Sequence, residues 1–361
     1  MAQGGKLHVK VDHVPFLGDS LVAIDSRHLR QQTPFAARDS VFEFDLEIDT
    51  PSEYYLVNKK QASNMERGFS PVRFQAMPDE QMLVKGAGEH SYSISGSKFY
   101  EECEQLSDLH HSLFRMEAEL TDSILKLIMN PDTDKDSVRE VHQRGMDSLQ
   151  QIKDKVIMEY IADHSDSEAS ATLVKELSTS AVMKQAIALL SPKVSEGRAK
   201  GFYETELHQK EHSEYWKQQA KEKQAPGRTA DDFTLKQITG EDLTLSSLHG
   251  QYVVLDFWGS WCGPCKRGMP QMKEYYQKYS GRFQIVGIAC NDTDSKWRQA
   301  VEELQLPWLH VFNPKESTVE NDYAITAFPT KIILDPEGRI IQSYIGETNR
   351  FYKKLDELFC K

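Results

Sequence analysis

Apolar and polar residues alternate with a period of two through the first part of the chain. The clearest case is VFEFDLEI, where Phe42, Phe44, Leu46 and Ile48 face opposite to Glu43, Asp45 and Glu47. LHVKVDHV, SLVAIDS, SEYYLV, QMLVKG and HSYSISG repeat the rhythm between turn residues, so residues 1–96 read as a small antiparallel β-domain. From Ser97 the period changes. FYEECEQLSDLHHSLFRMEAEL, QIKDKVIMEYIA and SAVMKQAIALL set apolar residues at helical spacing, as with Ile152, Val156 and Tyr160 beside Ile157 and Ile161. A helical connector over 97–225 follows from this. Its last stretch, ETELHQKEHSEYWKQQAKEKQ, is polar nearly all round and runs into Ala225, Pro226 and Gly227, a helix stop and a domain boundary.

Over 226–361 strand and helix signals alternate, as in an α/β layer with some parallel pairing. YVVLDFW and RFQIVGIAC read as buried strands, CGPCKRGMPQMKEYYQKY and DSKWRQAVEELQ as helices, TKIILD and GRIIQSYIG as a closing hairpin, and NRFYKKLDELF as a final helix. The fold class expected is therefore α+β multidomain: an antiparallel β-domain, a helical connector and a C-terminal α/β domain.

A chain of 361 residues exceeds what one ordinary core serves, which agrees with several domains. No run reaches the eighteen or more apolar residues of a membrane span, and the opening MAQGGKLHVK has no apolar core of a signal peptide. The formal net charge of −12 disfavours nucleic acid as a partner, since phosphate binding needs clustered Lys and Arg. Of five cysteines, Cys103, Cys290 and Cys360 are scattered, and only Cys262 and Cys265 form a close pair.

That pair stands in FWGSWCGPCK, where strand gives way to helix. A thiol at a helix N-terminus meets the positive end of the macrodipole and unpaired N–H groups, both of which favour the attacking thiolate. The spacing puts Cys262 at an exposed helix start and Cys265 one turn further in, within bridging distance. One thiol attacks and the other resolves. A zinc site needs a second ligand pair, and no other C-x-x-C or C-x-x-H occurs. An inert structural disulfide gains little from closing so short a loop.

VVLDFWGSWCGPCKRGMP resembles the active-site segment of thioredoxin-fold proteins, and DDFTLKQITGEDLTLSSLHGQ resembles the lead-in of the TlpA/ResA-like envelope branch of thiol:disulfide oxidoreductases. The resemblance covers about 229–361 and includes AITAFPTKIILDPEGRII, where Phe328, Pro329 and Thr330 match the family's cis-proline motif. It makes 226–361 a thioredoxin-like domain. More loosely, the strands, SISGSKFYEECEQL and the helices with HSDSEASATLV resemble the β-rich module and connector that precede such domains in some Gram-negative envelope proteins, a module without assigned chemistry.

The resemblance implies Cys262 as nucleophile and Cys265 as resolving thiol, with Asp256, six residues before Cys262, as the buried acid that takes the Cys265 proton directly or through water. It makes Trp261, Gly263, Pro264, Phe328 and Pro329 the substrate-binding face, and it implies neither a metal nor a bound cofactor. Many members of the branch carry Glu three residues after the second cysteine, where this chain has Gly268, so that any acid-base work of that Glu falls to Asp256 or is missing. Gly263 and Pro264 between the cysteines match thioredoxin and bring no imidazole, which favours a reductant with a potential on the order of −270 mV over an oxidant near −120 mV. The peroxiredoxin-like T-x-x-C is absent.

The function expected is reduction of protein disulfides in the periplasm or cell envelope of a Gram-negative bacterium, with disulfide-containing proteins as substrates and a dithiol protein as electron donor. The alternative is a partner-binding or assembly module in which the thioredoxin-like domain is mainly a docking platform. Other motifs have plainer readings. His208 to His212 spells H-x-x-E-H, an inverzincin signature, yet it lies in a charge-rich connector helix and reads as a solvated face. Cys290 reads as a small buried hydrophobe, and Cys103 and Cys360 as helical residues without chemistry. His110 and His111 read as packing or surface residues, and the stretch from Gly86 to Gly88 is too short for a phosphate loop.

Overall fold

The described residues of the first part of the chain form the strands β1 (Gly5–Asp12), β2 (Ser20–Asp25), β3 (Gln32–Ala36), β4 (Val41–Ile48), β5 (Ser52–Asn58), β6 (Val72–Ala76), β7 (Gln81–Gly86) and β8 (Tyr92–Ser95), with the one-turn helix α1 (Lys59–Ala62) after β5. The computed structural model describes residues 4–18, 20–28, 32–36, 41–62, 71–88, 91–129 and 135–360. His90, the first residue of the expected strand HSYSISG, lies outside the described residues. The strands form two sheets in the orders β4-β1-β7-β8 and β3-β2-β5-β6. In β4, Phe42, Leu46 and Ile48 are buried while Glu43, Asp45 and Glu47 are exposed, as the alternation requires. One expectation changes: β1 and β7 pair in parallel, so the strand region is mixed rather than purely antiparallel.

The helices that follow are α2 (Lys98–Gln105), α3 (Ser107–Met129), α4 (Lys135–Asp163), α5 (Ser180–Leu189), α6 (Pro192–Ser195) and α7 (Glu204–Lys223), with 3-10 stretches at Glu168–Glu176 and Arg198–Phe202. Contacts group the chain into two compact units, Met1–Glu211 and His212–Lys361. The boundary expected at 96/97 falls inside the first unit. Leu7, Val9, Leu46, Leu56 and Val84 of the strands share one core with Phe99, Tyr100, Ile157, Leu173 and Met183 of the helical part. The apolar sides of short sheets need a cover, and these helices provide it. Arg198 adds a polar tie, donating to the carboxylates of Glu168 and Glu80 and to the Pro78 carbonyl oxygen. Within this unit an open cleft of about 780 Å³ is lined by Arg73 and Phe74 of β6, Tyr92 and Ile94 of β8, and His110 and Phe114 of α3. Both strands are sheet edges.

The second unit contains β9 (Thr234–Gln237), β10 (Asp242–Thr244), β11 (Tyr252–Trp258), α8 (Gly263–Lys278), β12 (Phe283–Ala289), α9 (Asp294–Glu303), β13 (Leu309–Phe312), α10 (Val319–Asp322), β14 (Thr330–Leu334), β15 (Ile340–Ile345) and α11 (Asn349–Phe359). One seven-stranded sheet runs β10-β9-β13-β12-β11-β14-β15. β11 lies within it, parallel to β12 and antiparallel to β14. Alternate residues of β11 enter two cores. Val254 and Trp258 join Met269, Met272, Phe351 and Leu355 of α8 and α11, and Val253, Leu255 and Phe257 join Ile288, Tyr323 and Ile332. Asp256 shares the first of these faces by the same alternation. The chain leaves β11 on that side and enters α8. Among the described residues no helix is long and apolar enough to cross a membrane.

Candidate active site

The turn that carries the cysteines is tied to the chain just after β12. Backbone N–H and Oγ of Ser260 donate to the Asp292 carboxylate at 2.6 and 2.8 Å, and the Trp261 indole N–H donates to the Cys290 carbonyl oxygen at 3.1 Å. Gly259 lets the indole lie across the turn, since a Cβ there would sit 2.4 Å from its nitrogen. Cys262 is then the N-cap of α8, and Pro264 falls in the first turn, where its missing N–H leaves no helical bond unmade. Cys262 and Cys265 are joined in a disulfide. The backbone N–H of Cys265 also points at Cys262 Sγ, 3.2 Å away, an arrangement that favours a thiolate on Cys262 once the bond is reduced.

One expectation is corrected. Cys262 is only 3% exposed, packed in the core cluster that holds Cys265 and Trp258. Bonded to Cys265 and set among these side chains, the oxidised sulfur has little open surface. The exposed group is its neighbour Trp261, at 53%, edge-on to Phe328 with ring centroids 5.3 Å apart. The Phe328–Pro329 peptide is cis, and Thr330 leads from it into β14. Trp261, Phe328 and the disulfide thus lie together, and Gly263 and Pro264 open the adjoining helix.

Asp256 is fully buried. Directly across the β11–β14 pair stands Lys331, also buried, with Nζ 3.7 Å from Asp256 Oδ1. Neither Asp256 oxygen has a hydrogen-bond partner among the described residues. Lys331 instead donates to Glu347, at 2.5 Å. Burial pushes the Asp256 carboxyl up to about 6, opposed by the Lys331 charge and assisted by that of Glu347. Glu347 lies over Gly268: a Cβ on Gly268 would meet its carboxylate at 2.2–2.4 Å. The position where a glutamate side chain was expected to be missing is therefore filled by a carboxylate from the far side of β15. Lys331 and Glu347 were not singled out from sequence. The signal for Lys331 was a lone cation inside the otherwise apolar strand TKIIL, whereas Glu347 follows a strand and carries no pattern of its own.

The remaining candidates have local partners. Glu211 pairs with Lys184, and His212 accepts from the Trp216 indole. His110 meets Glu176 at 3.1 Å, and His111 lies 3.4 Å from the Ser107 hydroxyl. Burial raises the thiols of Cys103 and Cys290 above their ordinary range, which makes them poor nucleophiles. Cys360 lies just past α11 rather than within it, its sulfur 3.0 Å from the Tyr279 hydroxyl.

Residues 250–340 match a family model described as thioredoxin-like. The thiol-disulfide oxidoreductase ResA of Bacillus cereus is 30% identical over 131 residues, 36% of this chain and 75% of that protein. The thioredoxin-like protein YneN of Bacillus subtilis is 29% identical over 135 residues, 36% of this chain and 78% of that protein. Among solved structures, the thioredoxin domain of a thiol-disulfide oxidoreductase from Bacteroides vulgatus is 28% identical, covers 37% of this chain and 98% of its own, and has a TM-score of 0.36.

Proposed function

The chain belongs to the TlpA/ResA-like thioredoxin-fold thiol-disulfide oxidoreductases, and from that premise we propose that it reduces protein disulfides in the periplasm or cell envelope of a Gram-negative bacterium. The observation that carries this reading is the helix-start sulfur of Cys262 facing the Cys265 N–H, in the same unit as a buried acid whose carboxyl burial pushes up to about 6. In the reduced enzyme the Cys262 thiolate attacks one sulfur of a substrate disulfide. The substrate S–S bond breaks, a mixed disulfide forms and the first substrate thiol leaves. Asp256 takes the proton from the Cys265 thiol, directly or through water. The Cys265 thiolate then attacks Cys262 Sγ, releases the second substrate thiolate and forms the Cys262–Cys265 bond, while the substrate gains two electrons. A dithiol protein restores the pair by the reverse exchange.

Gly263 and Pro264 support the reducing direction, as a pair without an imidazole that would strengthen thiolate stabilisation further. Trp261, Phe328 and Pro329 form the docking face. The first unit serves partner choice, supported by a cleft between two sheet edges, because added contact surface improves discrimination without altering thiol chemistry. The direct test is a pair of variants assayed on a protein disulfide. Cys262→Ser abolishes turnover, and Cys265→Ser accumulates mixed disulfides that identify the partners. Wild-type turnover by Cys262→Ser overturns the mechanism.

A further inference from the structure

Lys331 is a buried cation with two carboxylates in reach and hydrogen-bonds only one of them. It stands opposite Asp256 in the strand pairing, yet its ammonium goes to Glu347 and leaves both Asp256 oxygens without a donor among the described residues. Glu347 reaches it by passing over α8 at Gly268, the residue one helical turn beyond Cys265 and on the same side of the helix. Even a methyl group at 268 would collide with the Glu347 carboxylate. We propose that Glu347 is a positioning residue: it holds the Lys331 ammonium away from Asp256, so that Asp256 keeps its oxygens free to accept the Cys265 proton, and Gly268 is the gap that admits it. This rests on the reading of Asp256 as the proton acceptor.

The electrostatics around Asp256 have the sign this requires. Lys331 of β14 favours its ionised form, and Glu347 opposes it. Other titratable groups that feel its charge are Tyr352 of α11, whose hydroxyl donates to the Gly268 carbonyl oxygen, and Cys290 beyond β12. Neither Tyr352 nor Cys290 brings a charge at neutral pH, since burial raises both above their ordinary ranges. Lys331 is therefore the cation whose position decides how strongly Asp256 holds a proton, and Glu347 decides the position. Without Glu347 the ammonium needs to close only from 3.7 Å to hydrogen-bond length to clamp Asp256 as a carboxylate.

The test is a titration of Asp256 in the full-length oxidised protein, followed by the carboxyl carbon signal of ¹³C-labelled aspartate and assigned by its loss in Asp256→Asn. Glu347→Gln is expected to lower the Asp256 midpoint by about one pH unit or more, the size of an opposite charge moving into contact. Lys331→Met is expected to raise it by a similar amount. Opposite shifts from two partners of one ion pair are not what a merely structural role produces, since loss of packing would move both alike. Gly268→Ala keeps every charge but displaces Glu347, and is expected to lower the midpoint as Glu347→Gln does. Unchanged midpoints in Glu347→Gln and Gly268→Ala, or a rise in either, overturn the proposal. The acid limb of disulfide turnover, measured on the same variants, separates this from the reading beneath it. Limbs that follow the midpoints support both. Midpoints that shift while the limbs stay fixed leave Glu347 as the residue that tunes Asp256, and remove Asp256 as the base.

Discussion

Replacing Asp256 by Asn removes a buried carboxyl that is held up at about 6 from an ordinary value of 3.8, and this has two measurable consequences of opposite sign. The first is kinetic. With a midpoint of about 6 the wild-type carboxyl is about nine-tenths ionised at pH 7 and available to accept the Cys265 proton. Without it, Cys265 depends on its own ionisation, and a thiol of ordinary pKa, about 8.5, is roughly 3% thiolate at pH 7. Resolution of the mixed disulfide is therefore expected to slow by roughly 30-fold at pH 7, and the deficit closes as pH approaches the thiol's own range. The second is thermodynamic. The native state holds a proton more tightly than the unfolded chain, so stability falls as pH rises from about 3.8 to about 6. Holding the carboxyl at about 6 instead of 3.8 costs on the order of 3 kcal/mol at pH 7. Asp256→Asn is expected to return much of this in the oxidised protein at pH 7, little at pH 4, and none well below 3.8, where both states are protonated. Single-turnover oxidation of the reduced enzyme by a protein disulfide, quenched with acid from pH 5 to 10, reads the first effect. Urea unfolding at pH 4 and pH 7 reads the second. Superimposable rate profiles of wild type and variant would refute Asp256 as a base, and a variant less stable at pH 7 than at pH 4 relative to wild type would refute the account of its burial.

Three further outcomes are expected. Trp261→Ala should raise KM for a protein disulfide by about 5- to 30-fold, a loss of about 1–2 kcal/mol of docking, while a small disulfide is reduced at nearly the wild-type rate; equal losses on both substrates would show that the indole supports the turn rather than the partner. A chain of residues 212–361 should fold and reduce a small disulfide as well as the full chain does, since it is a compact unit with its own cores; Cys265→Ser trapping in both lengths should give a narrower or less selective partner set for the shorter one, and identical sets would end the recognition role. His310 is buried and pushed down to about 4 by burial, so stability should fall by on the order of 3 kcal/mol as pH drops from about 6.5 to 4; His310→Phe should flatten that limb, which urea unfolding across the range would detect.

The strand–turn–helix setting of the candidate site was legible because it is local. Strand, turn and helix N-terminus occur in sequence order around Cys262 and Cys265, and each has its own periodicity or cap. The strands over VFEFDLEI and QMLVKG were legible for the same reason, but β3 was not, because Pro34 breaks the pattern of an edge strand. Which strands run parallel depends on pairing across many residues, so β1–β7 could not be read from local alternation. The core shared by residues on either side of 96 is of the same kind: two amphipathic segments advertise apolar faces without saying that they face each other. Glu347 was hidden for a stronger reason. Its role depends on what Gly268 lacks, and a glycine in a helical pattern reads as a small cost to the helix unless the side chain filling its place is known.

Asp256 and His310, two buried ionisable groups of the second unit, have opposing pH dependences. As pH rises from about 4 to about 6, Asp256 makes the native state progressively less stable, because the unfolded chain gives up a proton that the buried carboxyl keeps. Over nearly the same interval His310 makes it more stable, because the unfolded chain stops gaining the proton that the buried ring refuses. The two effects are similar in size and opposite in sign, so these two contributions nearly cancel over the interval. That cancellation belongs to stability alone. The proposed redox step uses Asp256 and not His310, whose ring lies against Trp258 and Trp308. In Asp256→Asn the His310 limb should therefore emerge unopposed, with stability climbing steeply from pH 4 to 6.5 where the wild type changes little. Equal slopes in the two proteins over that range would mean that the groups do not oppose each other in the folded state, and that Asp256 is buried at a cost met elsewhere.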